Sequence, residues 1–136
     1  MIFVDSSFFI AIRNHRDARH GQAKVSLGQV ADKPLVTSNH IRGETWTFLR
    51  RRVGHTAAVG FLETLEGSRT IAVVTITPEL EDRALAWLRT HDERVYSFVD
   101  ATSFALMRSL KIREALAFDG DFTAAGFVEL RPAQPT

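Results

Sequence analysis

Two hydrophobic rhythms alternate along this chain. Short runs that are apolar at nearly every position mark buried strands: Ile2-Phe3-Val4, Leu35-Val36-Thr37, the β-branched stretch 70–76, residues 115–118, and a last run over 127–130. Between them, apolar residues recur every three or four positions, the spacing of an amphipathic helix. Asp5-Ser6-Ser7 offers capping oxygens to a short, very apolar helix over 8–12, and Asp17 caps a second helix to about Val30. Residues 31–34 turn the chain into the second strand. Ser38 or Asn39 then caps a helix to about Arg52, with Ile41, Thr45, Phe48 and Leu49 as its inward stripe. Gly54 breaks the chain ahead of a helix over 55–66. That helix turns Ala58, Val59, Phe61, Leu62 and Leu65 inward and takes Gly67 as its C-terminal cap.

Thr77-Pro78-Glu79 starts the next helix, with Leu80, Ala84, Leu85 and Leu88 on its apolar face. After the loop 91–94, Ser97 and Asp100 stand at capping-box spacing before Phe104, Leu106, Met107 and Leu110. Gly120 allows a sharp turn after the fourth strand. Strands alternating with helices predict an α/β sandwich with a mostly parallel sheet. One domain is expected over 1–131, with Pro132 and Pro135 marking an exposed tail over 132–136.

Composition changes this picture little. The absence of cysteine excludes disulfides and thiolate metal sites. No apolar run approaches the roughly 20 residues of a membrane span, and no basic-then-apolar leader is seen, so cytoplasmic residence is the expectation. A net charge of +1, from 17 basic and 16 acidic residues, neither demands nor forbids a nucleic-acid partner. The basic residues are clustered, however. Arg50, Arg51, Arg52 and His55 form the densest group, and Arg13, His15, Arg19 and His20 form another. Such groups are either solvated helix faces or a groove that tracks phosphates.

The acids carry the candidate chemistry. Asp5 follows the first strand, Asp100 stands in the first turn of a helix, and Asp119 follows the fourth strand. Glu44 lies one turn into the helix after the second strand, where Ile41 and Phe48 place it near the buried edge. Segments of this kind deliver their polar ends to one edge of an α/β sheet. Carboxylates gathered there repel one another, and a hard divalent cation such as Mg²⁺ or Mn²⁺ removes the conflict. Metal-dependent phosphoryl transfer is therefore the chemistry to expect. Nucleophile-elbow, phosphate-loop, dinucleotide and H-E-x-x-H motifs are missing. His40 and Glu44 share a helical face, but no third zinc ligand stands at suitable spacing.

Four segments, in this order, resemble the PIN-domain ribonucleases, and among them the VapC-type toxins of type II toxin–antitoxin systems. They are Ile2-Phe3-Val4-Asp5-Ser6-Ser7-Phe8, Thr37-Ser38-Asn39-His40 through Gly43-Glu44-Thr45-Trp46, Tyr96-Ser97-Phe98-Val99-Asp100-Ala101, and Ala117-Phe118-Asp119-Gly120-Asp121-Phe122. The resemblance covers nearly the whole chain. It implies a three-layer α/β/α fold, and it carries over Asp5, Glu44 and Asp100 as central acids, with Asp5 and Asp100 as metal ligands. The fourth acid is Asp119 or Asp121, of which Asp119 directly follows the strand. Ala117 stands where many relatives have Thr. Ser6 or Ser7 is then the source of a site hydroxyl, and His40 a further site residue. Arg50, Arg51, Arg52 and His55 become RNA contacts, Arg51 and Arg52 lying about 11–12 Å beyond Glu44 along the helix.

The implied activity is a Mg²⁺- or Mn²⁺-dependent endoribonuclease toxin. It cuts a structured RNA loop, the ribosomal sarcin–ricin loop or transfer RNA, and stops translation until a VapB-type antitoxin neutralises it. Stretches 38–47 and 91–97 look like the subgroup that targets the sarcin–ricin loop. A homodimer is the usual assembly, with helices 8–12 and 55–65 as candidate partner or dimer faces. Two other readings keep part of this picture: a catalytically silent PIN-like binding module, and a nuclease or phosphatase acting on DNA or small phosphate esters. The intact acid set speaks against the first, and substrate preference separates the second.

Overall fold

The computed structural model describes residues 1–133. Its strands are β1 (Ile2–Val4), β2 (Leu35–Ser38), β3 (Ile71–Val74), β4 (Glu114–Leu116) and β5 (Val128–Glu129). Its helices are α1 (Ser6–Arg13), α2 (His20–Gln29), α3 (Asn39–Arg52), α4 (His55–Gly67), α5 (Pro78–Arg89), α6 (Phe98–Ser109) and α7 (Asp121–Ala124). The sheet order is β3-β2-β1-β4-β5 and every pairing is parallel, so the α/β sandwich with a parallel sheet is the fold observed. β1 is central. Its three residues are each at most 1% exposed, and this is why the sequence there is apolar without alternation. β3 is an edge strand and is only partly covered.

The chain runs β1, β2, β3 towards one edge and returns through β4 and β5 to the other. The direction reverses between β1 and β4. In open parallel sheets, the crevice beyond the carboxyl ends of the strands at such a point is where ligands bind. Aromatic packing fixes this half of the molecule. The Phe104 ring lies 5.0 Å from that of Phe122, which lies 5.9 Å from Phe3. All three are fully buried, each stabilising the fold by about 1.5–3 kcal/mol through area removed from water.

Local chemistry explains where elements begin and end. Ser38 Oγ accepts from Ile41 N–H and Thr77 Oγ1 from Leu80 N–H, so both predicted caps form. Asp17 does not cap a helix. Its Oδ1 accepts from Arg19 N–H at 2.8 Å, closing a turn that delays α2 to His20. β3 stops at Val74 because the Asn39 side chain captures Ile76 N–H at 2.8 Å. β4 starts at Glu114, paired with Val128, and stops at Leu116, beyond which Phe118 N–H is taken by Ser7 Oγ at 3.0 Å. Gly67 ends α4 from inside, and Ser68 is the C-terminal cap.

Two inward assignments fail. Phe48 is 36% exposed, with the Arg52 guanidinium over its ring, and Leu85 is 43% exposed. The buried stripes are narrower than the apolar stripes: Ile41, Thr45 and Leu49 on α3, Leu80 and Ala84 on α5. The short helix α7 replaces a simple turn after Gly120, whose φ of 80° suits glycine. Of the expected tail, Ala133 N–H donates to Gln29 Oε1, while Pro135 lies outside the described residues.

Candidate active site

Asp5, Asp100 and Asp119 meet at the crevice between β1 and β4. One carboxylate oxygen from each lies within 4.8 Å of the others. Asp5 follows β1 and is 1% exposed. Its Oδ2 accepts from Ser7 N–H at 3.1 Å and from Ser7 Oγ at 2.7 Å. Asp100 arrives from the first turn of α6 through a reciprocal capping box. Its Oδ2 accepts from Ser97 N–H at 3.0 Å, while Ser97 Oγ accepts from Asp100 N–H at 2.9 Å. Asp119 arrives on the turn after β4, where its Oδ1 accepts from Asp121 N–H at 3.1 Å.

The centre is electrostatically unfinished. Burial, and next the charge of Asp119, hold the Asp5 carboxyl well above the usual carboxylate range, against two hydrogen bonds from Ser7. Burial also pushes Asp100 up to about 6. Asp119 is raised as well, first by loss of solvent around its carboxyl and then by the charges of Asp121 and Glu129. Among the described residues the ion pairs are Arg94–Asp121 at 2.9 Å and Arg131–Glu129 at 3.2 Å, so no arginine or lysine neutralises the three central acids. Three hard oxygen donors, clustered and without a protein cation, fit Mg²⁺ or Mn²⁺ in donor type and charge. Asp5, Asp100 and Asp119 are the residues that would hold it.

Glu44 is exposed, contrary to the expected buried edge, and stands outside the trio. Because the face carrying Ile41, Thr45 and Leu49 is the one turned inward, Glu44 and Phe48 fall outside it. A hydroxyl ties it back: Ser6 Oγ donates to Glu44 Oε2 at 2.9 Å, next to Asp5 in sequence. Asp119 joins the trio, whereas the Asp121 carboxylate turns to Arg94. His40, Glu44, Arg51 and Arg52 line a groove of about 600 Å³, where the His40 ring lies 5.8 Å from Phe98. Arg50 and His55 lie outside that lining, and His55 packs edge-on against Trp46 at 5.9 Å. The expected basic cluster is thus split.

Several residues that shape the site were not singled out from the sequence. Arg94 donates to the Asp121 carboxylate and, at 3.3 Å, to the Asp119 carbonyl. Glu129 accepts from Gly120 N–H at 3.1 Å and Thr123 N–H at 2.9 Å. Burial pushes its carboxyl up, yet these bonds and Arg131 hold it below the usual range. Arg131 reaches the Ala117 carbonyl at 2.7 Å. Together they clamp the turn that carries Asp119. The available signals were a basic residue just before a capping box and a charge between Val128 and Leu130 in a short apolar run. Ser7, considered only as an alternative to Ser6, holds Asp5 directly.

A family model described as PIN domain matches residues 2–128. Two curated relatives, both named 23S rRNA-specific endonuclease VapC20, come from Mycobacterium tuberculosis strains CDC 1551 / Oshkosh and ATCC 25618 / H37Rv. Each is 57% identical over 134 residues, covering 97% of this chain and 99% of the relative. A crystal structure of Mycobacterium tuberculosis VapC20, described as a sarcin–ricin loop cleaving toxin, superposes with a TM-score of 0.91. It is 55% identical, and the match covers 97% of this chain and 100% of that one.

Proposed function

The chain belongs to the PIN-domain family, and on that premise we propose that it is an endoribonuclease toxin cutting the sarcin–ricin loop of 23S ribosomal RNA. Mg²⁺ or Mn²⁺ serves it at the Asp5–Asp100–Asp119 centre, and a VapB-type antitoxin restrains it. The observation that carries this reading is the uncompensated acid trio, set at the sheet's reversal point in a chain near-collinear with a 23S rRNA-specific endonuclease. The same likeness favours ribosomal over transfer RNA. Cytoplasmic residence and a homodimer belong to this reading. No helix among the described residues is long and apolar enough to cross a membrane.

A bound divalent cation would stabilise charge on the phosphorus oxygens and make water more acidic. The chain's own residues do the rest. Asp5, Asp100 and Asp119 supply the anionic oxygens, and Ser7 fixes the Asp5 carboxylate through two hydrogen bonds to its Oδ2. Glu44, steadied by Ser6 and open to solvent, orients the attacking water and takes its proton as the water oxygen bonds to phosphorus and the bond to the leaving ribose oxygen breaks, that oxygen taking a proton from solvent. Arg51, Arg52 and His40 line the groove beside it and grip flanking phosphates.

A synthetic sarcin–ricin stem–loop tests this. The wild-type protein should cut it in Mn²⁺, and chelation or Asp100→Asn should stop the cut. Single-stranded DNA and a small phosphate ester should stay intact. RNA left whole by folded protein in Mn²⁺, or cut equally well in chelator, refutes the proposal.

A further inference from the structure

Of the basic residues Arg13, His15, Arg19 and His20, three serve packing. Arg13 donates to the Gly60 carbonyl at 2.9 Å and to Thr64 Oγ1 on α4. His20 Nδ1 lies 2.7 Å from the Ala11 carbonyl, and His15 packs edge-on against it. Arg19 turns elsewhere. Its guanidinium lies 5.4 Å from the centre of the Phe118 ring, and that of Arg131 lies 4.9 Å from the same centre. Arg131 is committed to Glu129 and to the Ala117 and Leu130 carbonyls. Arg19 is exposed, and its guanidinium has no carboxylate partner among the described residues, only Gln22 Oε1 at 3.5 Å. Both arginines line a groove of about 650 Å³.

The ring beneath these two arginines adjoins the acid centre. Phe118 precedes Asp119, and its N–H donates to Ser7 Oγ, which donates to Asp5. The sheet order sets β2 and β4 on opposite sides of β1. The Arg51–Arg52 groove is built on the helix after β2, whereas Arg19 and Arg131 sit over Phe118, which follows β4. A polyanion laid across three acids needs positive charge on both sides of them.

We propose that Arg19, seated on Phe118, binds a backbone phosphate of the RNA on the side of the cleavage centre opposite Arg51 and Arg52. This rests on the ribonuclease reading above and adds the path of the strand. Stacking on the ring holds the guanidinium in place while its planar fork of N–H donors stays available to two phosphate oxygens.

The test uses a labelled sarcin–ricin stem–loop and the cleavage-defective Asp100→Asn protein, titrated at several salt concentrations. Adding Arg19→Gln should weaken binding by roughly three- to tenfold at low salt and flatten the slope of log affinity against log salt by about one. Arg19→Lys should recover the slope, since the charge returns. RNAs shortened on one side of the cut should abolish the Arg19 effect and leave the Arg51 effect, and those shortened on the other side should do the reverse. Unchanged affinity and slope in Arg19→Gln would overturn the proposal while the ribonuclease reading stands. So would loss of both effects on the same shortening, or a loss confined to antitoxin binding. Failure of the wild type to cut the RNA in Mn²⁺ would overturn both.

Discussion

Ser6 and Ser7 are neighbours that serve opposite flanks of one site. Ser7 turns towards β4, where its hydroxyl holds buried Asp5 and takes the N–H of Phe118. Ser6 turns towards α3, where it holds an exposed carboxylate, Glu44. The β4 flank is short of solvent and rich in fixed hydrogen bonds, and its acids are pushed up in pKa. The α3 flank is open, with arginines beside its acid. The contrast teaches a division of labour: one flank builds a charge trap for a cation, and the other presents a wet base and phosphate contacts.

The largest expected effect breaks the trap outright. Asp5→Asn should reduce RNA cleavage to background and remove Mn²⁺ binding measured by calorimetry. Its metal-free melting temperature at pH 7 should rise, because one of three repelling acids is gone. A fall instead would mean that Asp5 serves the fold chiefly as the cap of α1.

Next is the open flank. Glu44→Gln should lower kcat by roughly 10²- to 10⁴-fold, the usual contribution of a general base, with Mn²⁺ affinity unchanged. Loss of Mn²⁺ affinity comparable to Asp5→Asn would erase the distinction between the flanks.

The two serines sharpen the comparison. Ser7→Ala should weaken Mn²⁺ affinity by roughly 10- to 100-fold, as loss of a group that orients a ligand does. Ser6→Ala should leave Mn²⁺ affinity alone and lower kcat modestly. Equal effects on the metal from both would show that Ser6 is not confined to Glu44.

The smallest effect is in the pH dependence of the metal-free fold. Asp100 holds its proton up to about pH 6 when folded, against about 3.9 when unfolded. Between those values the folded state binds the proton more tightly, so stability falls as pH rises through the window. Asp100→Asn should therefore melt above wild type at pH 7, and the gap should close towards pH 4. Allowing for solvent screening, the gap amounts to at most about 2 kcal/mol. With Mn²⁺ present the trend should reverse, since ligands must be deprotonated to bind it. A gap that widens on acidification would contradict the assigned direction.

What the sequence made legible was local. Asp100 was readable because a capping box is a four-residue pattern, and Asp5, Ser38 and Thr77 because each follows an apolar run and precedes a helix. By position alone, Asp5, Asp100 and Asp119, the three acids that the fold brings together, were legible. The exposure of Glu44 was not, because Phe48 counts as apolar in a stripe whether it faces the core or lies under an arginine. Arg94, Glu129 and Arg131 act across turns and strands that meet only in the folded chain. No spacing rule encodes such partners. Asp17 was misassigned because a turn and a cap use the same side-chain acceptor.

The sheet order has a consequence for how the activity can be lost or gained. Asp5 belongs to the segment after β1 and Asp119 to the segment after β4, and pairing of those two strands is what brings them together. A nascent chain or proteolytic fragment that stops before residue 119 carries no complete acid trio, however well its other strands assemble. Conversely, two inactive pieces divided in the 90–95 loop would each hold part of the centre. Re-pairing of β1 with β4 would restore it, a geometry suited to a split reporter whose signal is RNA cleavage.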